Sequence, residues 1–401
     1  MDGILLADLL ESTRVSCLGL DPDVPMETQE NCPGCTDLLH VLAVLVAARG
    51  RQQMRYGICQ RCGYRGYIDR PTPNWIVDFY DGRWDRTFAK TLDQVRTGYA
   101  LPREGVKASR HKVLSLVVDI DADRDGLICE IGCGYGEIVK NLELAGFKNL
   151  IAVEHSRHRA ELVRTAFGFT VLHGEFENES VQDELRSRGP LGVVFSHHVL
   201  EHTYNPAQVV ALASSLQELG GWLVLALPNA VGEHILYGPL FLPHLHAFTK
   251  ESLEQLLNRH GYQIEVDRSP DDSNTIVGAR KLKQPQCRYP RGSDYVGVAL
   301  DRLRKACCTE SVQPGRTARI YWEQRPNHHD ISLLLPERRS EAVARLAWLF
   351  DSQLAWLKTR LFRSFAAGHT MLVRGLESRY TDPSAAPFEI QFGQEVMLLV
   401  K

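Results

Sequence analysis

At 401 residues the chain is longer than a typical single domain and predicts two or three units with room for a substantial core. A net charge of −3, with Lys and Arg interspersed among Asp and Glu, leaves no basic face of the kind that tracks nucleic-acid phosphates. The start Met1-Asp2-Gly3 lacks a positive leader region and the apolar run 38–48 is too short to span a bilayer, so the expectation is a soluble, cytoplasmic protein with neither nucleic-acid nor membrane partners.

Residues 1–74 read as a small N-terminal module of short strands and glycine turns, punctuated by Pro71 and Pro73. Within it, Cys32-Pro33-Gly34-Cys35 and Cys59-Gln60-Arg61-Cys62 form two knuckles separated by 23 residues. Each knuckle can present two thiolates to one ion, so Cys32, Cys35, Cys59 and Cys62 predict a tetrahedral zinc site. Four thiolates leave no open coordination position, which makes this zinc a folding device for a module too small for its own core. The alternative is two buried pairs without metal. The remaining cysteines are scattered, a pattern of a reducing compartment rather than a disulfide framework.

From Trp75 to Asp121 the pattern turns helical, with apolar residues near a 3.6 period over 106–118. Strand candidates then alternate with helical segments at 127–131, 150–154, 170–173, 192–196 and 222–227; a helix at 250–259 precedes two more strands at 263–267 and 275–280. This alternation predicts an α/β unit over 75–285 with a doubly wound, Rossmann-like, seven-stranded parallel sheet. The Pro-, Arg- and Gly-rich stretch 284–293 marks a second boundary. Residues 286–401 read as a C-terminal α+β domain, with strands at 318–323, 331–335, 371–375 and 395–400 and an amphipathic helix at 340–365. His328-His329-Asp330 reads as a polar turn between strands, with a metal or base contribution as the alternative. Substrate, partner or oligomer contacts are assigned to this last unit, and the oligomeric state is left open.

The chemistry concentrates after the first strand of the central unit, in Glu130-Ile131-Gly132-Cys133-Gly134-Tyr135-Gly136. Alternate glycines let the backbone approach a ligand closely, and Glu130 can accept a hydrogen bond from an ammonium group. A dinucleotide fingerprint would place its third glycine where Glu137 stands, so the run points to S-adenosylmethionine rather than NAD. Cofactor contacts are therefore expected from Glu130, Gly132, Cys133, Gly134 and Gly136. Glu154, at the end of the second strand and followed by His155, is placed to accept both ribose hydroxyls. Glu175 and Phe176 are suited to the adenine amino group and ring face, with Glu177 as the alternative acid if the register slips, and Ser196 closes the fourth strand toward the site. Asp121, Asp123 and Asp125 imitate the start of a calcium loop, but its twelfth position is Gly132 rather than a bidentate Glu, so they read as a solvated acidic turn.

These residues resemble class I S-adenosylmethionine-dependent methyltransferases, in the branch carrying segments like Glu130–Ile138, Val199–His202 and His244–Leu253, and the resemblance covers about 107–281. A cysteine module ending in Cys62-Gly63-Tyr64, followed by Phe79-Tyr80, is similar to sugar C-methyltransferases and related natural-product methyltransferases. That resemblance implies a cofactor- or substrate-facing role for Tyr80. The chain departs from the pattern at Leu191-Gly192, where the family usually has an Asp, and in lacking glycine turns of a second Rossmann-like domain after Asp294.

Methyl transfer from a sulfonium is an in-line displacement dominated by positioning, and a hydroxyl or carbon-acid acceptor also needs a base. Histidine suits that task. His198 or His197 is the expected base, oriented by Glu201 or His202, with His244 and His246 contributing from after the fifth strand. The reading is a zinc-stabilised methyltransferase acting on a small molecule through O, C or N. The alternatives are a peptide methyltransferase and a non-catalytic cofactor-binding scaffold or sensor.

Overall fold

The computed structural model describes residues 13–17, 25–47, 53–78, 80, 89–103, 108–230, 244–269 and 274–286, together with the backbones of five strands between 318 and 400. Phe79, the helix expected at 340–365, the strand expected at 371–375 and most of the boundary stretch 284–293 lie outside the described residues.

The N-terminal segment contributes β1 (Thr13–Cys17), β2 (Met26–Thr28), β3 (His40–Ala47), β4 (Gln53–Ile58), β5 (Arg65–Tyr67) and β6 (Asp69–Pro71). Among the described residues, helices α1 (Pro73–Asp78), α2 (Leu92–Thr97) and α3 (Ala108–Asp119) follow. The central unit then runs β7 (Leu127–Ile131), α4 (Glu137–Leu144), β8 (Asn149–Glu154), α5 (Arg157–Phe167), β9 (Thr170–His173), α6 (Glu179–Ser187), β10 (Leu191–His197), α7 (Pro206–Ser215) and β11 (Trp222–Pro228). After β12 (His246–Ala247) and α8 (Lys250–Arg259) it ends in β13 (Tyr262–Asp267) and β14 (Asn274–Lys281). The C-terminal strands are β15 (Ala318–Arg325), β16 (His328–Asp330), β17 (Ser332–Leu334), β18 (Glu389–Gln391) and β19 (Val396–Val400). His328-His329-Asp330, expected as a turn, is thus a short strand antiparallel to β15.

The seven-stranded sheet has the order β13-β14-β11-β10-β7-β8-β9. Strands β11, β10, β7, β8 and β9 are parallel, as expected, but β14 is antiparallel to both β11 and β13, so the sheet is mixed rather than all parallel. The segment from Asp267 to Asn274 is too short for the dozen or more residues a parallel crossover needs, so the chain returns alongside itself. Alternate strand residues feed two helical layers, as expected where both faces of a sheet are covered. Ile128, Ala152 and Val193 pack with α3, α4 and α5 through Val113, Leu116, Val139 and Val163. Cys129, Ile151 and Val194 pack with α6, α7 and α8 through Leu185, Val210 and Leu257.

The cysteine module joins this second layer: Cys32, Cys59, Tyr64 and Phe248 belong to the same apolar cluster. Its strands β1, β3, β4 and β5 belong to another sheet of order β12-β5-β4-β3-β1-β19-β15-β18-β17, while β2 and β6 pair with each other. Strands from before residue 74 and after residue 286 therefore share one sheet through the antiparallel pair β1–β19, while β12 ties its other end to the central unit through β5.

Candidate active site

The first parallel strand β7 ends in the glycine run because the chain must turn there before α4. Gly132 and Cys133 donate to Val153 O at 2.8 and 3.2 Å, which hooks the turn onto β8. Gly132, Gly134 and Gly136 all have left-handed backbones, with φ of 69, 56 and 74°. A side chain at Gly132 would meet Val199 Cγ2 at 2.5 Å and one at Gly136 would meet Val163 Cγ1 at 2.9 Å, whereas at Gly134 nothing lies within 4 Å. The outer two glycines thus allow close packing, and Gly134 faces open space.

That space is a cavity of about 490 Å³ over the carboxyl ends of the parallel strands. Gly132, Gly134, Glu154, His155, Glu175 and Phe176 line one end of it. Glu154 is buried, its Oε2 accepting from Gly134 N at 2.7 Å and its Oε1 from Ser156 N at 3.0 Å. Burial pushes its pKa up, while Arg159 opposes the shift. Glu175 is exposed and Phe176 buried; Glu177, beside them in the wall, is held up to about 7 by burial and the neighbouring Glu175.

Glu130, Cys133, Gly136 and Ser196 are not among the lining residues. Glu130 is buried beneath the turn, where Oε2 accepts from Val139 N at 3.2 Å in the first turns of α4. Burial and the nearby Glu137 charge raise its pKa strongly. Cys133 is packed in the core against Ile138 and Ala160, with burial pushing its thiol up, and Ser196 is buried within β10.

The other end of the cavity is built around the exit of β10. His198 has a left-handed backbone, φ 55°, uncommon outside glycine, which redirects the chain after its N–H bonds Ala226 O at 2.8 Å. His197 Nε2 lies 2.8 Å from Ser109 Oγ, and burial together with His198 holds it well below the usual imidazole range. Glu201 is buried at 1% exposure, with Oε1 3.2 Å from His198 Nδ1 and 3.8 Å from His202 Nε2. His202 Nδ1 pairs with Tyr80 Oη at 2.7 Å, and the His202 and His244 rings stand edge to face with centroids 4.5 Å apart. Tyr80, His197, His198, His202 and His244 all line the cavity.

His246 is elsewhere. It is buried between Tyr64, whose hydroxyl lies 2.5 Å from Nδ1, and Thr203 O, which accepts from Nε2 at 2.9 Å. Burial pushes its pKa down to about 3, so it is a neutral tie between the module and the loop after β10, outside the lining of the cavity. Several wall residues escaped the sequence reading: Ile76 and Val77 from α1, Ser109 and Arg110 from α3, and Arg159 from α5. None carries a local motif. Only the three-dimensional packing of α1, α3 and α5 around the strand ends brings them there.

The four knuckle cysteines are all buried and none is in a disulfide. Cys32 Sγ lies 3.5 Å from Cys62 Sγ, Cys35 Sγ lies 3.3 Å from Cys59 Sγ, and all four sulfurs fall within 4.8 Å of one another. A tetrahedral zinc with bonds of ~2.3 Å would separate its sulfurs by ~3.8 Å, so the cluster has the size the ion needs. Mutual hydrogen bonding holds Cys35 and Cys59 low and pushes Cys32 and Cys62 up. A bound cation would allow all four to ionise.

Residues 105–266, which contain the glycine turn, Glu154 and the histidine cluster, match the family described as a methyltransferase domain. This region is similar to class I S-adenosylmethionine-dependent methyltransferase domains. Solved structures similar to this chain include magnesium protoporphyrin IX methyltransferase of Synechocystis PCC 6803 with bound SAH, at 17% identity and TM-score 0.39, covering 52% of this chain and 100% of that one. A SAM-dependent methyltransferase of Thermotoga maritima matches at 17% identity and TM-score 0.38, covering 51% of this chain and 99% of that one. One from Mesorhizobium loti matches at 13% identity and TM-score 0.34, over 42% of this chain and 97% of that one. No curated protein matches the chain. Among the described residues, no helix is long and apolar enough to cross a membrane.

Proposed function

We propose that the cavity binds S-adenosylmethionine at its Glu154 end and a small-molecule acceptor, a sugar or natural-product intermediate, at its histidine end. The observation that carries this reading is the continuity of one cavity from Gly134 and Glu154 to His198, His202 and His244. The donor set fits the cofactor: a carboxylate for a vicinal diol, an aromatic face at Phe176, an open backbone at Gly134 and a volume of about 490 Å³. Glu130 acts from beneath, anchoring the turn to α4 through Val139 N.

The cofactor supplies an electrophilic methyl group on a sulfonium sulfur. The chain's own residues align the acceptor, exclude bulk water with α1 and α3, and take up the acceptor proton. His198 is the base in this reading: it lines the cavity and Glu201 lies 3.2 Å behind its Nδ1, leaving Nε2 for the acceptor. His197, tied to Ser109 and held neutral by burial, positions rather than exchanges protons. The cysteine cluster holds structural zinc, fastening the wall behind the histidines.

The test is calorimetric titration with S-adenosylmethionine and S-adenosylhomocysteine of the wild type and of Glu154→Ala. Saturable binding that the variant loses supports the reading and opens acceptor screening with labelled methyl groups. Folded, metal-loaded protein that binds neither ligand refutes it.

A further inference from the structure

A buried carboxylate normally collects several hydrogen bonds, because leaving its charge unmet in a low-dielectric interior is costly. Glu201 departs from this: neither of its oxygens accepts a hydrogen bond of acceptable geometry, although it is 1% exposed. What surrounds it instead is imidazole. One ligand atom each from Glu201, His202 and His244 lie within 4.8 Å of one another. His202 is already oriented for the purpose, since Nδ1 is engaged by the Tyr80 hydroxyl at 2.7 Å and Nε2 is the nitrogen turned toward Glu201. A hydrogen bond to the far nitrogen is the usual way a metal-binding histidine is fixed in tautomer and direction.

The backbone holds the two segments together without help from an ion. His246 N donates to Glu201 O at 3.2 Å, and His246 Nε2 donates to Thr203 O at 2.9 Å. The pairing of β12 with β5 fixes the strand that begins two residues after His244. His202 and His244 also line the cavity, so coordination positions beyond the three protein ligands would face the acceptor rather than the core. Two imidazoles and one carboxylate suit a borderline divalent ion such as Zn²⁺, Mn²⁺ or Fe²⁺; Mg²⁺ favours an all-oxygen octahedron.

We propose that Glu201, His202 and His244 bind a divalent transition-metal ion at the acceptor end of the cavity, and that the acceptor is a hydroxyl compound that reaches this ion through oxygen. This rests on the methyltransferase reading and narrows its substrate class. A hydroxyl bound to a Lewis acid gives up its proton near neutral pH. His198 takes that proton, an oxygen lone pair forms the new bond to the methyl carbon, and the carbon–sulfur bond breaks with its electron pair left on sulfur as a neutral thioether. Atoms and charge balance without an oxidant or reductant. Glu201 has two oxygens, enough for the ion and for His198.

The experiment is a Mn²⁺ titration of the full, zinc-containing chain followed by electron paramagnetic resonance. Mn²⁺ is a poor match for four thiolates and so reports on the nitrogen–oxygen site. The expected result is one saturable site in the wild type, weakened at least about tenfold in both Glu201→Gln and His244→Gln. Pulsed spectra of the wild type should also show hyperfine coupling to two imidazole nitrogens, a readout that needs no variant. S-adenosylhomocysteine affinity, measured on the same samples, should stay within about threefold because the Glu154 end is untouched. Absence of a saturable site, absence of nitrogen coupling, or wild-type Mn²⁺ affinity in both variants overturns the metal site. S-adenosylhomocysteine binding without Mn²⁺ binding would refute the metal and keep the methyltransferase, while the reverse would refute the cofactor reading alone.

Discussion

Gly134 and Gly136 share a left-handed backbone and differ in what surrounds them, and this separates stability from binding. Gly136→Ala places a methyl group 2.9 Å from Val163 Cγ1 and adds left-handed strain, so a loss of roughly 1–2 kcal/mol or more is expected in urea unfolding. Gly134→Ala meets nothing within 4 Å and should cost only the strain, about 1 kcal/mol, yet it narrows the cavity and should weaken S-adenosylhomocysteine binding more than Gly136→Ala does. Calorimetry and unfolding on both variants check the crossover. Glu177 gives a pH signature. Its folded pKa of about 7 exceeds the ordinary 4.5, so the folded state holds the extra proton between these values and stability falls as pH rises through that window. Glu177→Gln should remove this slope, with its advantage over wild type greatest near pH 8 and gone below about pH 4.5, read by unfolding across that range. The glycine turn and Glu154 were legible in the sequence because backbone freedom and an acid at a strand end are local properties. The placement of Glu130 behind the turn was not, since it depends on where α4 directs Val139 N.

At the scale of elements, the cysteine module is riveted to the histidine end of the cavity. Thr249, the N-cap of α8, accepts from Ser252 N at 3.0 Å and donates to Cys62 O at 2.6 Å, and Arg259 Nη1 donates to Pro33 O at 2.9 Å. Tyr64 reaches His246 directly across the same seam. Chelation of the proposed zinc, or Cys62→Ser, should therefore loosen more than the module. The expected result is a fall of about 5–10 °C in the thermal midpoint, for a loss of roughly 3 kcal/mol, with faster amide exchange in 64–67 and 246–253 than in 127–154. Exchange confined to the module would contradict the riveted seam. His246 shows why an element boundary matters. Residues two apart share a face when both lie in one strand, but β12 begins at His246, so His244 points into the cavity wall while His246 turns to Tyr64.

Across the whole molecule, β1 sits between β3 and β19, and β19 in turn pairs with β15. Removing residues 396–401 would expose the unpaired edges of both β1 and β15. Such edges invite pairing with other chains, so the truncated protein should aggregate more readily while its S-adenosylhomocysteine site persists. Light scattering alongside calorimetry tests this; a monodisperse truncated chain would argue against the shared sheet. The sequence by itself determined the alternation of strands and helices, the cysteine knuckles and the glycine turn, because these follow from periodicity, spacing and backbone freedom within short windows. The pairing of β14 with β11, the joining of β1 to β19 and the placing of His244 beside Glu201 and His202 were decided only by tertiary structure. Each brings together residues far apart in the chain, and pairing of that kind is set by packing and sheet register, which no local window contains.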